Sequence, residues 1–263
     1  MYQSLPRPTI FAHRGASAYA PENTLAAFEL ALRQASDAVE LDAKLCADGH
    51  VVVIHDQTVD RTTDGQGKVS QLTLAQLKEL DAGSHFDASF RGEKIPTLKE
   101  VFESIGQHTF SNVELTNYAS LLDALPDEAA NLVRRHNLAS RVMFSSFNPR
   151  ALLRARKLLP AAPVALLALP GPGGRWARSW LGCLLSYQAL NPEVRDVTPQ
   201  LVASVHKRGC RVKVYTVNQS DVMRHLFILQ VDGIFTDDPV LARQVLAEFQ
   251  TEQLPNPNRS DQG

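Results

Sequence analysis

The sequence predicts a (β/α)8 barrel with a small β-rich insertion after its second strand. Three observations carry that expectation. The chain has 263 residues, and one such barrel runs to about 250. Short apolar runs alternate with helical patterns along its length, which argues for a parallel sheet with crossover helices. The first strand runs into His13-Arg14-Gly15 rather than a glycine-rich phosphate loop. No GxGxxG or GxxxxGK[ST] follows, so the open, doubly wound nucleotide fold is the weaker alternative. Two small domains are the other competing division of a chain this long.

The elements follow in order. Thr9–Ala12 is a buried strand. Pro21–Ala35 is an amphipathic helix with Leu25, Phe28 and Leu32 on one face and Pro21 at its start. Ala38–Leu45 is the second strand. From Ala47 to Leu98 the rhythm breaks into turns, a strand ending in His55-Asp56, and a polar stretch; this is the insertion, expected to lie over the barrel top. Asn112–Thr116 is the next strand, Leu121–His136 a helix and Val142–Phe147 a strand. A helix opens at Asn148-Pro149 and runs to Leu159. Val164–Leu169 is a strand and Arg175–Leu185 a short helix. An eighth strand is expected near Tyr187–Leu190. Thr198-Pro199 has the cap-then-proline signature of a helix start, and that helix should stop at Gly209. Val212–Val217, Ser220–Leu229, Gly233–Thr236 and Pro239–Phe249 close the chain as strand, helix, strand, helix. Residues 1–254 are expected to form one domain. The polar stretch Pro255–Gly263 is expected to be disordered.

Hydrophobic residues make up 44% and charged residues 21%, a globular composition. The net charge is -1, so no basic field exists to hold nucleic acid. Cys46, Cys183 and Cys210 are scattered without a CxxC pair. That argues against a disulfide framework or zinc knuckle and fits a reducing compartment. The longest apolar run, Pro163–Pro170, is far short of the roughly 20 residues that span a bilayer. No basic-then-apolar leader opens the sequence. A cytoplasmic protein without stable membrane insertion is expected; oligomeric state is left open.

Barrel active sites sit at the C-terminal ends of strands. That rule selects His13 and Arg14 on the first strand, Glu40 and Asp42 on the second, and Glu114 with Thr116 on the third long strand. Residues two apart on a strand share a face, so Glu40 joins Asp42, and Glu114 joins Thr116. Three carboxylates converging at one mouth repel unless a cation or protons neutralise them. An all-oxygen set suits one hard divalent ion: Mg²⁺, Ca²⁺ or Mn²⁺. The bland alternative for Glu40 and Asp42 is a solvent-facing edge-strand pair. His13 and His55 end strands and can exchange protons near neutral pH, although strand-end histidines are often only structural. Arg14 offers a planar fork suited to phosphate; a surface ion pair is its ordinary role.

These residues fall in a run of motifs: HRG (His13–Gly15), PENT (Pro21–Thr24), ELD (Glu40–Asp42), DGHVVVIHD (Asp48–Asp56) and RTT (Arg61–Thr63). LDAGSHF (Leu80–Phe86), IPTL (Ile95–Leu98), NVEL (Asn112–Leu115), SSF (Ser145–Phe147), VYTVN (Val214–Asn218) and DGIFTDDP (Asp232–Pro239) extend it. In this combination, and from about Ile10 to Phe249, the chain resembles the glycerophosphodiester phosphodiesterases. The resemblance implies a (β/α)8 barrel with an insertion after the second strand. It implies hydrolysis of small-molecule glycerophosphodiesters to sn-glycerol 3-phosphate and an alcohol. Glu40, Asp42 and Glu114 would hold the metal, His13 and His55 would be the acid–base pair, and Arg14 would bind phosphate. Many members of that family carry Lys two residues after the metal-binding Glu. Here that position is Thr116, which supplies one neutral donor instead of a charge. Arg14 is the first candidate to compensate, and Lys213 on a later strand is a second cation of unknown facing.

Two other activities compete. A lysophospholipase D would act on lipid-bearing diesters, and a non-catalytic barrel would only bind them. Trp176 and Trp180, spaced i, i+4 after PGPGG (Pro170–Gly174), bear on the first. Packing against the barrel is their ordinary role. Trp176 is the candidate for a substrate-binding apolar lip, taking a lipid chain or a choline head group by cation–π contact.

Overall fold

The computed structural model describes residues 2–116, 118, 120 and 122–253. The expected tail lies outside them. Nine strands form one sheet: β1 Thr9–Ala12, β2 Ala38–Leu45, β3 Val51–Val53, β4 Phe110–Leu115, β5 Val142–Ser146, β6 Val164–Ala168, β7 Ala189–Pro192, β8 Arg211–Val214 and β9 Gly233–Thr236. All but β3 are parallel to their neighbours. β1 pairs with both β2 and β9, which closes an eight-stranded barrel. β3 is the extra strand, antiparallel to the end of β2. The eighth barrel strand, expected near Tyr187–Leu190, is β7, shifted by two residues.

Parallel barrel strands are covered on both faces, so they read as continuous apolar runs. Alternate residues serve two different cores. Phe11, Phe110, Met143 and Phe235 point inward and pack with small Ala38, Ala165 and Ala189, while Tyr2 and Leu5 close the floor. Ile10, Val39, Val113 and Phe144 point outward under the helices. Lys213 also points inward, but deep: its ammonium lies 4.7 Å from the Tyr2 ring centre and 4.6 Å from that of Phe11. It belongs to the barrel floor, not the mouth. Burial pushes its pKa well below the usual lysine value.

Three expectations are corrected. The first helix runs Leu25–Arg33, capped by Thr24, whose side chain accepts from the Ala27 amide. Pro21 therefore does not start it. The turn before it takes Asn23 through left-handed backbone, which no helix allows. The insertion is less β-rich than its turn residues suggest. It holds only β3 as regular strand, plus a helix Leu74–Glu79 and two 3-10 turns, around its own core of Val52, Ile54, Leu77 and Ile95. Thr73 and Gln76 form a reciprocal capping box, a helix-start signal that the surrounding turn chemistry masked. The expected helix Arg175–Leu185 is two short ones, Arg175–Arg178 and Trp180–Cys183, because extended Ser179 interrupts it and caps the second. No helix among the described residues is long and apolar enough to cross a membrane.

Gly15 turns the chain from β1 toward the site with φ +86, and a Cβ there would sit 2.6 Å from the Ala27 backbone. Gly15→Ala combines left-handed strain with a backbone clash, so the variant should lose roughly 1–3 kcal/mol or more. Urea midpoints at unchanged slope check this; a wild-type midpoint refutes it.

Candidate active site

A cavity of about 250 Å³ opens at the C-terminal ends of the barrel strands. Glu40, Asp42 and Glu114 meet on its wall, each offering an oxygen within 4.8 Å of the others. Their convergence follows from register. Glu40 pairs with Asn112 and Asp42 with Glu114 across β2 and β4, and the pleat turns all of these inward.

Each carboxylate is fixed through one oxygen. Glu40 accepts from the Arg14 amide at 3.0 Å, Asp42 from Asn23 Nδ2 at 2.9 Å, and Glu114 from the Tyr118 hydroxyl at 2.5 Å. Among the described residues, the second oxygen of each accepts no hydrogen bond. Burial, then the charges of Asp42 and Glu114, push Glu40 well above the usual carboxylate range. Burial and Asp42 push Glu114 up to about 8. Burial also works against ionised Asp42, but Arg14, His55 and Asn23 hold it below its ordinary value. Without a cation, then, burial and mutual repulsion favour proton uptake on Glu40 and Glu114, while Arg14 favours the charge on Asp42. Three oxygens, each with a free neighbour, are the donor set a hard divalent ion needs, so the residues present fit such an ion.

Both histidines line the same cavity. His13 Nδ1 lies 2.6 Å from Asp237 Oδ1, and His55 Nδ1 lies 2.6 Å from Asp56 Oδ1. A carboxylate only accepts, so Nδ1 carries the hydrogen and Nε2 is left for the cavity. Asp237 also accepts from Ser17 at 3.0 Å and from Asn218 at 2.5 Å. Burial opposes its charge, yet the bond from His13 keeps its pKa below the ordinary value. The Arg61 hydrogen bonds, with His55, lower Asp56 strongly.

Arg14 lines the cavity with its guanidinium between Glu22 Oε1 at 2.9 Å and Asp42 Oδ2 at 3.3 Å. Arg61 is gripped by Glu22 and Asp56, at 2.7 Å each. Thr116 is buried on the inward pleat of its strand but does not line the cavity, and its hydroxyl is bonded to Lys44 Nζ at 2.6 Å. Trp176 does not line the cavity. Trp180, at 71% exposure, does not pack on the barrel, and Leu184 beside it is 70% exposed.

Asp237, Asp56, Glu22, Asn23, Arg61 and Lys44 escaped the strand-end rule. Most sit in the turns PENT, HD, RTT and TDDP, where a polar residue is unremarkable by itself. The available signal was their place inside those motifs. Lys44 had a plainer one, being two residues beyond Asp42 on the same inward face.

Fold and site together define a (β/α)8 barrel with an all-oxygen cation pocket and two carboxylate-backed histidines at its mouth. Residues 13–241 match the glycerophosphoryl diester phosphodiesterase family. The chain belongs to that family and is a phosphodiester hydrolase. It is 40% identical over 231 residues to a glycerophosphodiester phosphodiesterase of Caldanaerobacter subterraneus subsp. tengcongensis, covering 88% of this chain and 94% of that one. It is 32% identical to one from Bacillus subtilis (strain 168), covering 89% and 85% respectively. Among solved structures, an Oleispira antarctica phosphodiesterase in complex with the product sn-glycerol-3-phosphate superposes with a TM-score of 0.83. The two are 32% identical, over 92% of this chain and 97% of that one. The glycerophosphodiester phosphodiesterase of Agrobacterium tumefaciens str. C58 gives 0.78 at 30% identity, over 90% and 99%.

Proposed function

We propose that this chain hydrolyses glycerophosphodiesters to sn-glycerol 3-phosphate and an alcohol, using one divalent cation and His13 with His55 as acid and base. The catalytic unit is one domain, residues 1–254. The observation that carries the reading is that two histidines, each with Nδ1 committed to a carboxylate, share one cavity with a three-carboxylate cluster. The product named in the Oleispira antarctica complex supports the substrate class.

A phosphodiester is anionic and repels nucleophiles. Glu40, Asp42 and Glu114 would hold Mg²⁺, Ca²⁺ or Mn²⁺, whose bound charge offsets that of the phosphate in the transition state. Arg14 binds a phosphate oxygen from the cavity wall. Nε2 of one histidine takes the proton of the attacking oxygen, that of water or of the substrate's glycerol 2-hydroxyl, and Nε2 of the other protonates the departing alkoxide. Asp237 and Asp56 hold the two rings in the tautomer that this exchange requires. A substrate lacking the glycerol 2-hydroxyl separates attack by water from attack by that hydroxyl, since only the first route survives its loss. The free cysteines support action in the reducing cytoplasm.

A second reading is favoured by one observation. Leu169, Trp176, Trp180, Leu181 and Leu184 form an exposed apolar segment after β6, and Leu167 of that strand lines the cavity. A lipid-bearing leaving group fits such a lip, with Trp176 its nearest indole by sequence to β6. The deciding experiment is product analysis with glycerophosphocholine, glycerophosphoethanolamine and lysophosphatidylcholine, with and without EDTA. We expect glycerol 3-phosphate from the first two. Release of choline and lysophosphatidic acid from the third alone would transfer the assignment to a lysophospholipase D. No turnover of any would leave a binding barrel.

A further inference from the structure

Across β2 and β4, Ala43 pairs with Leu115. The next rung toward the mouth therefore sets Lys44 beside Thr116, both inward. Lys44 Nζ donates to Thr116 Oγ1 at 2.6 Å. The Thr116 hydroxyl sends its own hydrogen to the Ala43 carbonyl at 2.7 Å, so it must accept from the lysine. One of three ammonium hydrogens is thereby used. Lys44 is 5% exposed and, among the described residues, forms no ion pair. Burying an ammonium is costly unless a negative group compensates.

The other cations near the mouth each already pair with two carboxylates, which Lys44 does not among the described residues. Arg14 lies between Glu22 and Asp42, and Arg61 is held by Glu22 and Asp56. Lys213 sits on the floor. We infer that Lys44 is a phosphate-binding residue of this enzyme. A remaining N–H donor bonds a non-bridging oxygen of the phosphodiester, and Thr116 fixes the ammonium in place. Lys44 does not itself line the cavity, but it stands two residues beyond Asp42 on the same inward pleat, so a phosphate resting against the carboxylate cluster meets it on the mouthward side. Thr116 thus serves the site through Lys44, as a positioning residue, and the cation missing at position 116 is supplied from the adjacent strand. The inference rests on the substrate class proposed above.

The test is binding of sn-glycerol 3-phosphate to Mg²⁺-saturated protein by calorimetry, with kcat and KM for glycerophosphocholine measured alongside. Lys44→Met should weaken glycerol 3-phosphate about tenfold to a hundredfold, the worth of a hydrogen bond between charged groups. It should raise KM while leaving Mg²⁺ affinity equal or tighter. Thr116→Val should give a smaller loss in the same direction. Moving the cation with the pair Lys44→Thr and Thr116→Lys should recover most of the affinity. A lysine that merely balances the carboxylates would change Mg²⁺ affinity and leave glycerol 3-phosphate binding at the wild-type level, which overturns the inference. Should Lys44→Met fail to fold, Thr116→Val and the exchanged pair still decide, and wild-type affinity in Thr116→Val with no recovery in the pair also overturns it. Wild-type protein that binds glycerol 3-phosphate but turns over no diester would sink the proposed function and leave Lys44 its role as a phosphate ligand.

Discussion

His13→Ala and His55→Ala should each lower kcat roughly 10²–10⁴-fold with the fold intact. Both rings are anchored at Nδ1, His13 by Asp237 and His55 by Asp56, at 2.6 Å in each case. Each therefore presents Nε2 to one cavity from a different strand, His13 after β1 and His55 after β3. Neither lies in the hydrophobic cores, so alanine leaves no large void and circular dichroism should remain that of the wild type. The two variants are told apart with an activated diester whose phenolic leaving group departs without a proton. The variant missing the general acid should regain much of its rate on that substrate, and the variant missing the base should not. A folded His55→Ala enzyme with wild-type kcat would reduce the insertion to a structural cap.

His55 reaches the site because β3 folds back on the end of β2, with Ala43 opposite Val53. A pleat rule applied to β2 alone cannot see that step. The rule did find Glu40, Asp42 and Glu114, because barrel strands alternate strictly and the mouth lies at their C-terminal ends. It gave the inward facing of Thr116 but not its partner, since the register between β2 and β4 is set by tertiary packing. It was silent on depth as well: Lys213 and Tyr215 share a face, yet Tyr215 lines the cavity while Lys213 packs on the floor. For Arg14 the sequence offered a phosphate fork or an ion pair but not the partner; the turn at Asn23 brings Glu22 against it, a contact no local pattern encodes. Trp180 is the converse case. Its helical spacing from Trp176 suggested packing, but extended Ser179 ends that helical run and leaves the indole 71% exposed.

Removal of the divalent cation should abolish turnover, and its binding should release protons and strengthen as pH rises toward about 8. Burial and the Asp42 charge push Glu114 up to about 8 against an ordinary 4.5, and burial with the charges of Asp42 and Glu114 also pushes Glu40 well above its ordinary value. A carboxylate whose folded pKa lies above its unfolded one binds more protons folded than unfolded. Its stabilising contribution is complete below pH 4.5 and is lost as pH rises through about 8. Metal-free protein should therefore lose stability across that window. A cation must displace those protons, so it should restore the loss, and the rise in Tm on adding Mg²⁺, Ca²⁺ or Mn²⁺ should grow from pH 6 to pH 8. Asp42, held ionised by Arg14, supplies the charge that first attracts the ion. Calorimetry in buffers of different ionisation enthalpy counts the released protons. Glu114→Gln removes the group near 8, and proton release should fall while ion affinity drops. Full activity after verified metal removal, or a metal-induced Tm shift independent of pH, would break the link between the cluster and the ion.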